Sequence, residues 1–289
     1  MKKKIFFLAL ALIFSAQTLH AQASTRFPRL QSRLRSIANA NYGKKVYPGH
    51  KIGITVVDVK SGTRVSVNGA SVFPAASIIK VPIMAYLFHA ADSNTLSMDK
   101  RVRVDERYKQ PGAGVIQYLK PNYYSLWNLC RYMISISDNT ATYVLARMAG
   151  KKNVNSYVSS LGLKNTRLLD ETALVERPKP NYNRTTPNDI AYLLTRIQRG
   201  AGFSKTSRAD MIKFMRNQKY VFGIPRALPK NFSCANKTGK LTNVLHDAAI
   251  VYSPRGSYVL CVFTQGFKND TNARIVMNRV SGIVAQYYR

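Results

Sequence analysis

Acidic side chains are scarce in this sequence. Asp and Glu together number 13 against 44 Lys and Arg, and only Glu106, Glu171 and Glu176 are glutamates. The formal net charge of +31 falls to +28 once Lys2, Lys3 and Lys4 are removed with the leader described below. A charge of that size in a cytosolic protein points to nucleic acid. Here the basic residues are scattered and no nucleic-acid motif accompanies them, so no nucleic-acid partner is expected. Non-specific adsorption to anionic cell-envelope polymers is the expected consequence instead. Cysteine is almost absent too: Cys130, Cys234 and Cys261 are an odd number, and their spacings fit neither a disulfide framework nor a metal site. Cys130 and Cys261 lie in apolar surroundings, as small core residues do.

Long hydrophobic runs are also lacking. Ile5 to Phe14 is too short to span a bilayer, and no later segment does better. With three lysines before it and Ala21-Gln22-Ala23 after it, this run reads as a signal peptide over residues 1–23. The expected product is exported, periplasmic or secreted, without a transmembrane segment. It is a single domain over 24–289, expected to act as a monomer.

Within that domain the periodicity changes twice. Leu30, Leu34 and Ile37 recur at helical spacing. Ile52 to Val59 alternates and is rich in β-branched residues, Lys60 to Thr63 is a turn, and Arg64 to Val67 resumes, as in a β-hairpin. From Ala76 to about Ala201 the pattern is helical: Ser125 stands where it can cap a helix through Ile136, Thr142 to Met148 runs up to Gly150, and Lys152 to Leu161 is another helix. Leu168 to Thr186 is irregular, and a loop of that length is uncommon unless functional. Thr186-Pro187-Asn188-Asp189 then opens a helix. Ser233 to Gly239, Asp247 to Tyr252 and Tyr258 to Thr264 read as strands, with a tight turn at Pro254-Arg255-Gly256. Thr271 to Tyr288 closes as a helix whose apolar face is Ile275, Val276, Val280, Ile283, Val284 and Tyr287. Strands at both ends with helices between them predict an α+β fold. One antiparallel sheet, flanked by terminal helices (24–75 and 202–289), stands beside an all-helical lobe (76–201).

Three short motifs carry chemistry. Phe73-Pro74-Ala75-Ala76-Ser77-Ile78-Ile79-Lys80 leads a serine and a lysine three positions later into an apolar helix, where i and i+3 share a face. A hydroxyl is a poor nucleophile until a base takes its proton, and a desolvated lysine can be that base. Ser137-Asp138-Asn139 follows at a break between helices, and Lys237-Thr238-Gly239 lies on an expected strand. Each triplet alone is common. Together, in this order, they form the S-x-x-K, S-D-N and K-T-G set of the penicillin-recognising serine enzymes.

The chain resembles class A β-lactamases over nearly the whole of residues 24–289. Gly112-Ala113-Gly114, Thr166-Arg167-Leu168, Thr185-Thr186-Pro187 and His246-Asp247-Ala248-Ala249-Ile250 add to the likeness. It implies a five-stranded antiparallel sheet beside a helical domain, the site between them, and no metal or other cofactor. In that site Ser77 attacks an amide carbonyl, and Lys80 is base or relay. Ser137 passes a proton to the leaving nitrogen. Lys237 and Thr238 hold the substrate carboxylate, and Asn139 bonds the substrate amide and Lys80. The resemblance puts the oxyanion on the backbone N–H groups of Ser77 and Lys240, with Gly239 beside them.

One departure from the family is plain. The E-x-x-L-N pattern, whose glutamate activates the deacylating water, is missing from the loop before Thr185. Glu171 is the nearest carboxylate by position, with Asp170 and Glu176 behind it. Hydrolysis of the β-lactam amide through an acyl-enzyme on Ser77 is the leading expectation. A D-alanyl-D-alanine peptidase acting on peptidoglycan stem peptides and a non-catalytic wall-binding protein are the alternatives.

Overall fold

The structure, a computed structural model, describes residues 27–40, 42–171 and 182–289. The expected signal peptide, Glu176, and the prolines at 178 and 180 lie outside the described residues. Among the described residues no helix is long and apolar enough to cross a membrane.

Five strands form one antiparallel sheet: β1 (Val46–Asp58), β2 (Arg64–Val67), β7 (Ser233–Leu241), β8 (Val244–Ser253) and β9 (Gly256–Phe267), in the order β2-β1-β9-β8-β7. Period-two alternation supplies two different cores. On one face Ile52, Ile54, Val56, Leu260 and Val262 meet α1 (residues 27–38) and α8 (Asp270–Gln286). On the other face Val259, Cys261, Phe263 and Ile250 join the core of the helices. The sheet is therefore covered on both sides. Leu30, Leu34 and Ile37 are buried on α1, and Val276, Val280 and Val284 on α8, as their spacing requires. Ile275 departs from the expected face and is 57% exposed. One residue along a helix is a turn of about 100°, and the buried stripe runs instead through Ala273, Met277 and Tyr288.

The helical side is built around α2 (Lys80–Asp92), which is buried on nearly every side. Pro82 falls in its first turn, where no intrahelical N–H is needed. Around it pack α3 (Leu126–Ser135), α4 (Asn139–Ala149) and α5 (Lys151–Ser160), while α6 (Pro187–Arg199) lies between the helices and the sheet. Caps start these elements where the sequence predicts: Ser125 Oγ accepts from Asn128 N, and Thr186 Oγ1 from Asp189 N. A further helix, α7 (Lys205–Arg216), shows only a short apolar stripe. Its Met211, Phe214 and Met215 sit in the same core as α2 and α3, so by packing the helical side extends past residue 201. Two short ladders complete the fold: β3 (Phe73–Pro74) with β6 (Arg184–Thr185), and β4 (Arg101–Val104) with β5 (Asn122–Ser125).

Candidate active site

Between the sheet edge and the helices lies a cleft of about 870 Å³, large enough for a drug-sized ligand. Ser77, Ser137, Asn139, Thr238 and Lys240 line it, with Gln110 to Ala113 on the helical side and Tyr220 and Phe222 opposite.

Ser77 lies on a single 3-10 turn, Ala76–Ile79, that runs directly into α2. In this tighter winding positions i and i+3 eclipse, so the serine and Lys80 share a face more closely than in an α-helix. The approach is strained: Ala76 has φ +46°, a region non-glycine residues rarely adopt. The strain is held by neighbours. Ala75 N–H donates to Asn183 O at 2.6 Å, and strand β7 backs directly onto the turn. A Cβ on Gly239 would stand 3.1 Å from both Ala76 Cβ and Ile78 Cγ1, so glycine lets the strand come this close. That approach brings Thr238 and Lys240 into the cleft with Ser77.

Lys80 is fully buried. Its Nζ reaches Ser137 O at 2.8 Å, Ser137 Oγ at 3.0 Å and Asn139 Oδ1 at 3.0 Å. Burial holds its pKa well below the usual ammonium value, the Lys237 charge adds to this, and Asp138 opposes it. A neutral amine has two N–H groups and one lone pair. One of the three contacts then reverses, and the natural one is Ser137 Oγ–H donating to Nζ.

Ser137 occupies the left-handed region at φ +56° and lies between two lysines, with Lys237 Nζ 3.1 Å from its hydroxyl oxygen. Lys237 is also fully buried, and desolvation lowers its pKa to about 7, with Asp247 acting in the opposite direction. Its second partner is Thr238 O at 2.7 Å. Two lysines on one hydroxyl make a proton path through buried side chains.

Asp138, which the motif contains but the sequence reading assigns no task, organises this floor. Its carboxylate caps α4 by accepting from Ala141 N at 2.9 Å, and accepts from Val115 N at 2.7 Å and Ile116 N at 3.0 Å. Gly114 answers it with φ +102°; a Cβ there would lie 2.2 Å from Asp138 Oδ2. Asn139 finishes the joint, its Nδ2 donating to Pro111 O at 2.8 Å, which leaves one amide hydrogen for a ligand.

The carboxylates are elsewhere. Glu171 is half-buried and is not among the residues lining the cleft. Asp170 is tied through its backbone to the Asn183 side chain on both sides, N–H to Oδ1 at 2.8 Å and O from Nδ2 at 2.8 Å. Lys240 points its ammonium at Asp270, 2.5 Å away on α8, so its side chain turns to the cleft rim. Tyr220 and Phe222 are lining residues that the sequence reading does not single out. Their signal is three adjacent apolar residues, Tyr220-Val221-Phe222, in a segment without helical or strand period.

Known proteins share this architecture. The sequence profile described as the Beta-lactamase enzyme family matches residues 29–288. Beta-lactamase AER-1 of Aeromonas hydrophila is 28% identical over 201 residues, 65% of this chain and 64% of that protein. Among solved structures, a point mutant of PBP-A, in an acyl-enzyme complex with penicillin G, superposes with a TM-score of 0.79 at 31% identity, covering 90% of this chain and 96% of that one. A beta-lactamase from Sphaerobacter thermophilus gives 0.80 at 27% identity, covering 89% and 95%. A profile that runs through the sheet, the helices and all three motif elements leaves one family for the chain: it belongs to the beta-lactamase enzyme family.

Proposed function

We propose that the protein is a serine hydrolase that opens β-lactam amides through an acyl-enzyme on Ser77. The observation that carries this is the Ser137 hydroxyl held within 3.1 Å of two buried lysines, beside a serine on a strained turn. Ser77 Oγ attacks the carbonyl carbon while its proton passes to neutral Lys80. The C–N bond breaks as Ser137 delivers its proton to the departing nitrogen, and Lys80 restores that proton to Ser137. Lys237 keeps the Ser137 proton mobile and attracts the substrate carboxylate, with Thr238 Oγ1 as a second donor. The backbone N–H groups of Ser77 and Lys240 receive the oxyanion.

Hydrolysis then needs a water to add to the ester and return a proton to Ser77. No carboxylate among the described residues lines the cleft, which favours a second reading. In it the same serine acts on D-alanyl-D-alanine peptides and is held by β-lactams as a long-lived adduct. The likeness to PBP-A, known in a mutant form as an acyl-enzyme with penicillin G, supports the same chemistry. Incubation with a chromogenic cephalosporin followed by intact mass separates the readings. Sustained colour release with unmodified protein supports the hydrolase. A single burst with a persistent adduct supports the peptidase, and neither signal removes Ser77 chemistry altogether.

A further inference from the structure

His246 belongs to a motif that the chemistry above leaves without a task. It lies fully buried on β8, in register with Gly239 of β7 and Phe263 of β9. Its ring stacks on Phe263 at 4.5 Å and meets the Phe73 ring edge-on at 5.6 Å. Both ring nitrogens are engaged. Thr264 N–H reaches Nδ1 at 3.2 Å, and Nε2 lies 2.9 Å from Pro74 O. A backbone N–H can only donate and a backbone carbonyl can only accept, so these two neighbours fix the tautomer. Nδ1 carries the lone pair, and Nε2–H donates to Pro74. Burial favours this neutral ring by lowering the His246 pKa to about 4; the Pro74 and Leu245 backbone groups oppose the shift, and the Lys51 charge adds to it.

Pro74 stands three residues before Ser77, and the strained Ala76 lies between them. A positive φ at alanine persists only where the surrounding structure over-determines the backbone. Here the approach strand β3 is pinned at successive points. Val72 O accepts from Lys51 Nζ on β1, Pro74 O accepts from His246 on β8, and Ala75 N–H donates to Asn183 O. Gly239, the register partner of His246, then meets Ala76 and Ile78 from β7. One rung of the β7–β8 ladder therefore grips the turn twice, through His246 ahead of Ala76 and through Gly239 at Ala76 itself. The next residue along β7 is Lys240, whose backbone N–H is the second oxyanion donor in the proposed reaction. Ser77 and that donor are thus referenced to the same rung.

We propose that His246 is a positioning residue for acylation: through Nε2–H and the Pro74 carbonyl it holds the Ser77 turn against β7, so that a carbonyl attacked by Ser77 also meets the Lys240 N–H. It touches neither the substrate nor the reacting atoms. The inference rests on the Ser77 acylation reading. Its consequence is a split between two steps. Losing the Pro74 hydrogen bond lets the turn relax and slows acylation, while substrate capture by Lys237 and Thr238, which stand on β7 itself, is kept.

The test uses two amides of different reach. A glutamine side chain extends about as far as Nε2 and can still donate to Pro74 O, whereas an asparagine amide ends level with Nδ1 and cannot. Stopped flow times acylation by a chromogenic cephalosporin in wild type, His246→Asn and His246→Gln. Calorimetric titration of the same cephalosporin into the three proteins carrying Ser77→Ala reads binding without chemistry. His246→Asn should acylate roughly ten- to a hundredfold more slowly, since displacing a reacting group by about 1 Å costs on the order of a hundredfold. Its dissociation constant should stay within about twofold of wild type, and His246→Gln should recover the acylation rate to within about threefold. Equal losses in the two variants, an unchanged rate in His246→Asn, a rate loss matched by lost binding, or a fold lost in His246→Asn makes the imidazole a packing group and overturns the proposal. Nitrogen NMR of the wild-type protein adds a check that needs no variant at this position. A neutral ring with its proton on Nε2 is expected, and a proton on Nδ1 overturns the proposal. No acyl adduct on the wild type defeats the Ser77 reading and this inference with it. Acylation that is indifferent to the His246 substitutions defeats this inference alone.

Discussion

The floor of the cleft and the loop at its margin are built in opposite ways. The floor is buried and built around two lysines. Ser77 sits on a turn fused to a buried helix, Lys80 and Lys237 are both without solvent exposure, and Asp138 accepts three backbone N–H groups to lock the joint. In the described part of the loop, Leu168 to Glu171, the Asp170 backbone is tied to the Asn183 side chain, and neither Asp170 nor Glu171 lines the cleft. Under the proposed acylation, the groups that would act with Ser77 are gathered in this floor, while no carboxylate among the described residues lines the cleft.

The largest expected effect tests the floor directly. Ser77→Ala should abolish covalent acylation, since no hydroxyl remains at that position to carry the acyl group. Intact mass after penicillin treatment reads this, and an adduct on the variant would remove Ser77 from the floor's chemistry.

A smaller effect is expected at the strand lysine. Lys237→Ala should lower kcat/KM by roughly ten- to a hundred-fold, the loss of one charge-assisted hydrogen bond of about 1.5–3 kcal/mol. The pH profile sharpens it. With a pKa of about 7 in the free enzyme, Lys237 is cationic below that pH and loses its charge above it. Its hold on a substrate carboxylate should therefore weaken as pH rises through about 7, seen as a basic limb in kcat/KM. An acidic limb is expected from protonation of Lys80, whose pKa burial holds well below the usual ammonium value, if it accepts the serine proton as proposed. Lys237→Arg, whose charge persists, should move the basic limb to higher pH. An unmoved limb would assign it to another group.

The smallest effect belongs to the margin. Glu171→Gln should change both acylation and deacylation by less than about threefold, because a partly exposed carboxylate outside the cleft lining contributes little. Stopped-flow acylation with time-resolved mass reads both steps. A variant that acylates normally and then stalls would place Glu171 in the cleft during turnover, and the contrast between floor and margin would disappear.

Much of this arrangement is legible in the chain itself. The hairpin, the three later strands, the terminal helices and the caps at Ser125 and Thr186 follow from period and local hydrogen-bonding chemistry, which act over a few residues. Ile275 and α7 mark where that reading stops. Both depend on which neighbour a stripe meets, and a short or wide stripe fits more than one neighbour.

The sequence by itself determined that Ser77 and Lys80 share a face, because three residues close one turn of helix. It also determined that Ser137 and Lys237 come from a helix break and a strand. Only the tertiary structure decided that the Ser137 hydroxyl meets Lys80 and Lys237 within 3.1 Å, 57 and 100 residues away along the chain. It also set their protonation, since the depressed pKa values of Lys80 and Lys237 arise first from burial, with the Lys237 charge adding to the effect at Lys80. The same is true of Glu171. Glu171 is the nearest candidate base by position along the chain, and in the fold it is half-buried and outside the residues lining the cleft. Sequence distance carries no information about the direction in which an irregular backbone turns a side chain.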